Sequence, residues 1–71
     1  MEKISKIKLR DAMFAACVGV IQLAQMANIR PATVTKFLKN DSRIRLSTLG
    51  KISRALNISP EDLIISEEEL K

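Results

Sequence analysis

A chain of 71 residues, 46% apolar, 28% charged and carrying a net charge of +4, makes one domain with a thin core; at this size only about 60% of the unfolded surface is hidden on folding. Two glycines and two prolines are too few for a turn-rich β fold, and the absence of Trp and Tyr argues against aromatic platforms for single-stranded nucleic acid. With no His the commonest general base and metal ligand is missing, a lone Cys17 has no paired base, and there is no glycine-rich phosphate loop, so we expect no enzyme, no cofactor and no metal.

In chain order, residues 1–3 are expected to be loose. Ile4, Ile7, Phe14 and Ala15 recur at helical spacings, with Leu9, Met13 and Cys17 widening the stripe. They predict a first helix over about 5–17 and place Cys17 in the core. Gly19 interrupts the pattern and can cap a second helix over Val20–Ala27, whose Leu23 and Ala24 face inward. Asn28 tolerates the left-handed conformation that ends many helices, and Ile29 is expected to tuck into the core from the turn.

Pro31 suits the first position of a third helix, Pro31–Lys39, where its missing N–H costs nothing. Thr33, Val34 and Thr35 make this segment a poor helix former alone, so tertiary contacts must hold it. Residues 39–45 read as a polar, cationic connection. Leu46, Leu49, Ile52, Ala55 and Leu56 give the cleanest stripe and a fourth helix, Leu46–Leu56, in which Gly50 is most simply read as a close helix crossing. Ser59, Pro60, Glu61 and Asp62 supply a cap, a first-position proline and an acidic first turn for a short fifth helix returning Leu63 and Ile64 to the core.

Charge divides the chain unevenly. Residues 1–56 hold eleven cations against three anions, a net of +8, whereas residues 57–71 hold one cation against five anions, a net of −4. A basic body with an acidic end fits a polyanion-binding surface, and equally a merely solubilising one. No stretch approaches the roughly 20 apolar residues needed to span a bilayer. With a single cysteine and no secretory segment ahead of it, the chain is expected to be cytoplasmic and reduced.

Two helices at 20–38 that meet across three residues and bury facing stripes form a helix-turn-helix, whose second helix can enter a DNA major groove. An ordinary helical hairpin in a bundle is the competing reading. The sequence resembles the Cro/cI-type (lambda-repressor-like, XRE-type) helix-turn-helix family over about residues 7–65. The marks are Leu23-Ala24, Asn28-Ile29, Val34 with Phe37, Leu46, Leu49, Ile52, and Ala55-Leu56-Asn57-Ile58-Ser59 followed by Leu63.

The resemblance implies an all-α, compact five-helix domain over 1–71, with its core at 5–65 and a frayed acidic tail at 66–71. It implies a sequence-specific regulator, expected to be a repressor that binds a palindromic operator as a homodimer. Pro31, Ala32, Thr33, Thr35 and Lys36 then face the bases, and Arg30, Lys39, Arg43 and Arg45 are placed for phosphate. Val20 stands where the family often carries a Gln that touches the DNA backbone and braces a base-reading side chain, Pro31-Ala32 is bare of donors, and Asn40 replaces a turn glycine. These departures leave open a protein-interaction module of the antitoxin-like or regulatory kind. The candidate dimer or partner contacts are Ile64, Ile65, Leu70, Val20 and Ile21.

Overall fold

The computed structural model describes residues 2–65, so Leu70 and the expected tail at 66–71 lie outside the described residues. The elements run β1 (Glu2–Ile4), α1 (Lys6–Ala15), α2 (Val20–Ala27), α3 (Pro31–Lys39), β2 (Ser42–Ile44), α4 (Leu46–Leu56) and a 3-10 turn, Pro60–Asp62. Among the described residues the architecture is therefore a compact helical domain with four α-helices and a 3-10 turn instead of the five helices expected.

Three helices begin and end where the sequence places them. α2 closes on Asn28 at φ 56°, with the Ile29 N–H reaching the Ala24 carbonyl at 2.9 Å. α4 closes the same way on Asn57 at φ 57°, with the Ile58 N–H on the Ser53 carbonyl at 3.0 Å. Both asparagines adopt the left-handed conformation that satisfies the last carbonyls of a helix. α3 ends differently. Asn40 has φ −142° and is extended, which is why no glycine is needed there.

α1 is shorter than the apolar spacing predicts. Ser5 caps it, its Oγ accepting from the Lys8 N–H at 3.3 Å, and the Asp41 carboxylate takes the Lys6 N–H at 2.9 Å. The helix stops at Ala15, and Cys17 sits at φ 57° while the Val18 N–H returns to the Met13 carbonyl at 2.9 Å. Cys17 is thus an exposed helix stop and not a core residue. The tight stop also leaves Phe14 85% exposed, although its spacing fits the stripe.

Glu2 and Lys3 are not loose. β1 pairs antiparallel with β2 in the register Glu2↔Ile44, Lys3↔Arg43, Ile4↔Ser42, so part of the cationic connection is a strand. Ile4 also bridges Ile64, the Ser5 N–H donates to the Leu63 carbonyl at 2.8 Å, and the Ile65 N–H donates to the Lys3 carbonyl at 2.8 Å. This pairing explains the missing fifth helix. After Pro60–Asp62 the backbone at Ile64 is drawn into an extended bridge, so the turn closes with the Leu63 N–H on the Pro60 carbonyl and goes no further.

One core unites the domain. Ile4, Leu9, Met13, Leu23, Ala24, Ala27, Val34, Phe37, Ile44, Leu49, Ile52, Leu56 and Leu63 are buried, with Ile29 packed against them. α2 packs on α3 and α4, and α1 on α3. Gly50 marks no helix crossing, because a Cβ there would meet only the Arg54 guanidinium, at 3.6 Å. Leu46 opens the α4 stripe yet is 70% exposed, since it stands at the helix start beyond the reach of the core.

Candidate nucleic-acid interface

α3 is held from inside and open outside. Val34 and Phe37 are buried, and the helix carries its β-branched residues because these two anchors and α2 support it. On the outer side Pro31, Ala32, Lys36 and Lys39 are exposed, and Thr33 and Thr35 are half-buried. Ala32, Thr35, Lys36, Lys39 and Asn40 line one open concavity. All five expected base-facing residues thus lie on exposed or partly exposed helix surface, Thr33 and Thr35 being the less exposed two.

Two side chains in this strip differ in what they offer. The Thr35 hydroxyl donates to the Pro31 carbonyl one turn back, at 3.1 Å, so its proton is used within the helix. The Lys36 ammonium lies 6.0 Å from the Phe37 ring centroid, where the ring face attracts it weakly and leaves its donors outward. Lys36 is therefore the stronger candidate for a base acceptor, and Thr35 offers a methyl group and lone pairs.

The four expected phosphate residues are exposed and occupy element ends or the short strand: Arg30 caps α3, Lys39 ends it, Arg43 is the middle of β2, and Arg45 caps α4. No first turn of α1 to α4 contains an acidic residue. At α1 the Asp41 carboxylate compensates, and at α2 the Gln22 side-chain oxygen accepts the Gly19 N–H at 3.0 Å. At α3 and α4 the cap residue is an arginine, which adds positive charge to the positive end of the helix dipole. That arrangement is unfavourable alone and favourable beside an anion.

The candidate contact residues separate. Val20 is half-buried against the core, and Ile64 and Ile65 are half-buried in pairing with β1, so none is a free apolar knob. Ile21 is 58% exposed. The apolar surface that spacing alone misses is Phe14, beside a shallow cleft also lined by Arg10, Met13, Val18, Val20 and Leu38. No sequence signal marked it, because the left-handed turn at Cys17 that ends α1 falls on a residue with no turn preference.

A family model described as a Cro/C1-type HTH DNA-binding domain matches residues 8–69. The chain belongs to the Cro/C1-type helix-turn-helix DNA-binding family. As a member it carries the DNA-binding domain of that family over nearly its whole length. Among the described residues no group of three or more His, Cys, Asp or Glu could hold a metal ion, and no helix is long and apolar enough to cross a membrane.

Solved structures share the Cro/C1-type fold. Streptomyces albus HEPD with 2-hydroxyethylphosphonate and Fe(II) bound matches with TM-score 0.80 and 23% identity, over 84% of this chain and 14% of that one. A hydroxyethylphosphonate dioxygenase point mutant matches with TM-score 0.80 and 20% identity, over 92% and 14% of the two chains. Native PhpD with cadmium atoms gives 0.77 and 20%, over 92% and 14%. The present chain therefore spans only about a seventh of these proteins, and at such identities the likeness concerns the fold alone. No curated protein matches the chain.

Proposed function

We propose that this Cro/C1-type domain is a repressor that lays α3 into the major groove of a palindromic operator, as a homodimer acting in the cytoplasm. The observation that carries the reading is the division of α3 into a buried side, Val34 and Phe37, and an uncovered outer strip. In this reading Lys36 donates to guanine O6 or N7, and Pro31, Ala32 and the methyls of Thr33 and Thr35 meet the groove floor, including thymine methyl groups. Arg30, Lys39, Arg43 and Arg45 hold phosphates, aided by the amide-rich starts of α3 and α4. The unit that does this is one domain, residues 1–71.

The test is selection of binding sites from random duplex DNA, followed by titration of the winner. A two-fold motif with half-sites about 34 Å apart is expected from a symmetric dimer. No enrichment, with binding indifferent to Arg30→Ala and Arg45→Ala, would refute the reading.

A second reading has one observation in its favour. Phe14 and Ile21 are exposed, and the Phe14 cleft is apolar, which suits contact with another protein, as in an antitoxin-like or regulatory module. If that is the main role, the Phe14→Ala variant loses a partner or its dimer contact and keeps its affinity for duplex DNA.

A further inference from the structure

We propose that the outward face of the small sheet, where Lys3 on β1 stands opposite Arg43 on β2, is a further phosphate-binding element that extends the duplex contact beyond α3. The inference rests on the DNA-binding reading and adds Lys3, which no motif marks. Along three-residue strands alternate side chains face opposite ways. Ile4 and Ile44 are buried, which directs Lys3 and Arg43 to the solvent side, and both are exposed.

The register sets these two cations directly across from each other. Opposed residues on antiparallel strands lie about 4.5–5.5 Å apart at Cα, and like charges in that position repel. No carboxylate among the described residues relieves the pair. Asp41 is turned to the start of α1, where it binds the Lys6 N–H at 2.9 Å. Glu2 is next to Lys3 in a strand and so belongs to the other face. Among the described residues neither Lys3 nor Arg43 makes an ion pair. Two like charges set opposite each other on an exposed face are stabilised by an anion, and a phosphodiester supplies one.

The position favours duplex DNA over a free anion. β2 follows α3 after only Asn40 and Asp41, and the Ser42 hydroxyl clasps the Asn40 carbonyl at 2.9 Å. Four residues of extended chain reach at most about 14 Å, so Arg43 lies within that distance of Lys39. Lys36 and Lys39 line the concave strip of α3, and Arg43, with Lys3 opposite it, follows within that reach along the chain. A phosphate backbone leaving the groove is a ligand with charges at such intervals.

The experiment measures binding of the full chain to its selected operator, and to a random duplex of about 20 base pairs, between 50 and 200 mM salt. Lys3→Gln and Arg43→Gln are each expected to flatten the log–log salt slope by about 0.9, equivalent to a three- to four-fold smaller loss of affinity over that range. The effect should be equal on both duplexes, with the selected motif and the melting temperature unchanged. Lys51→Gln on α4, outside this succession, should leave the slope alone. Unchanged slopes in both sheet variants overturn the inference while leaving the α3 reading intact. A flattening by Lys51→Gln equal to theirs also overturns it, as an effect of net charge. A wild-type chain that binds neither duplex overturns the DNA reading itself.

Discussion

Replacing Cys17 by glycine should stabilise the domain, against the expectation from apolar spacing. The residue ends α1 at φ 57°, a conformation that brings Cβ against the following carbonyl and costs an L-residue roughly 1–2 kcal/mol. Glycine removes that strain. It also adds unfolded-state freedom worth about 0.5–1 kcal/mol in the opposite direction. The thiol is exposed, so little burial is lost, and the net gain is about 0.5–1 kcal/mol. For a domain of this length about 1 kcal/mol corresponds to roughly 4–8 °C in Tm, so a rise of roughly 2–8 °C is expected. Thermal unfolding followed by circular dichroism in reductant measures it, with Cys17→Ala as the control that removes sulfur and keeps Cβ. Were Cys17 a core residue, glycine would open a cavity and lower Tm by several degrees. A Cys17→Gly melting temperature at or below that of Cys17→Ala would refute the reasoning.

Leu23 is fully buried, so Leu23→Ala should lose about 2–5 kcal/mol and leave little folded protein at 37 °C by circular dichroism, whereas Phe14→Ala, at 85% exposure, should change stability by less than about 0.5 kcal/mol. Ser5→Ala removes the α1 cap and should cost about 1 kcal/mol in a urea melt. On DNA, Lys36→Ala should relax one operator position by about 1–3 kcal/mol in competition binding, and Arg45→Ala should weaken all duplexes alike. Thr35→Val keeps the side-chain shape while deleting a hydroxyl whose proton is spent on Pro31; its selected operator should match that of the wild type.

The helix-turn-helix and α4 were legible because their signals are local and redundant. Gly19, Asn28, Pro31 and Asn57 each carry a capping reason that agrees with the apolar spacing beside them, and agreement between levels makes boundaries sharp. The strip on α3 was legible for the same reason, since Val34 and Phe37 fix which side turns inward. The end of α1 was not. Phe14 and Cys17 satisfy helical periodicity, and periodicity cannot reveal that the chain turns left-handed at a cysteine. Nor was the sheet, because three-residue strands are too short to show alternation and their pairing joins residues about forty apart. The last helix failed for a related reason: the start signal at Ser59-Pro60-Glu61 was real, but a strand partner at Ile4 competes for the backbone that would have continued it. The exposure of Phe14 follows from the first of these errors, and the strand position of Lys3, expected to be loose, from the second.

Because Lys3 and Ile65 share a backbone hydrogen bond, the two ends of the described chain lie side by side. Such a unit can be spliced into a surface loop of a host protein without prising the host's loop ends apart, and both flanking segments then emerge side by side. A DNA-reading head mounted in this way would move as a pendant on two adjacent tethers, so cutting one of them would leave it attached and folded.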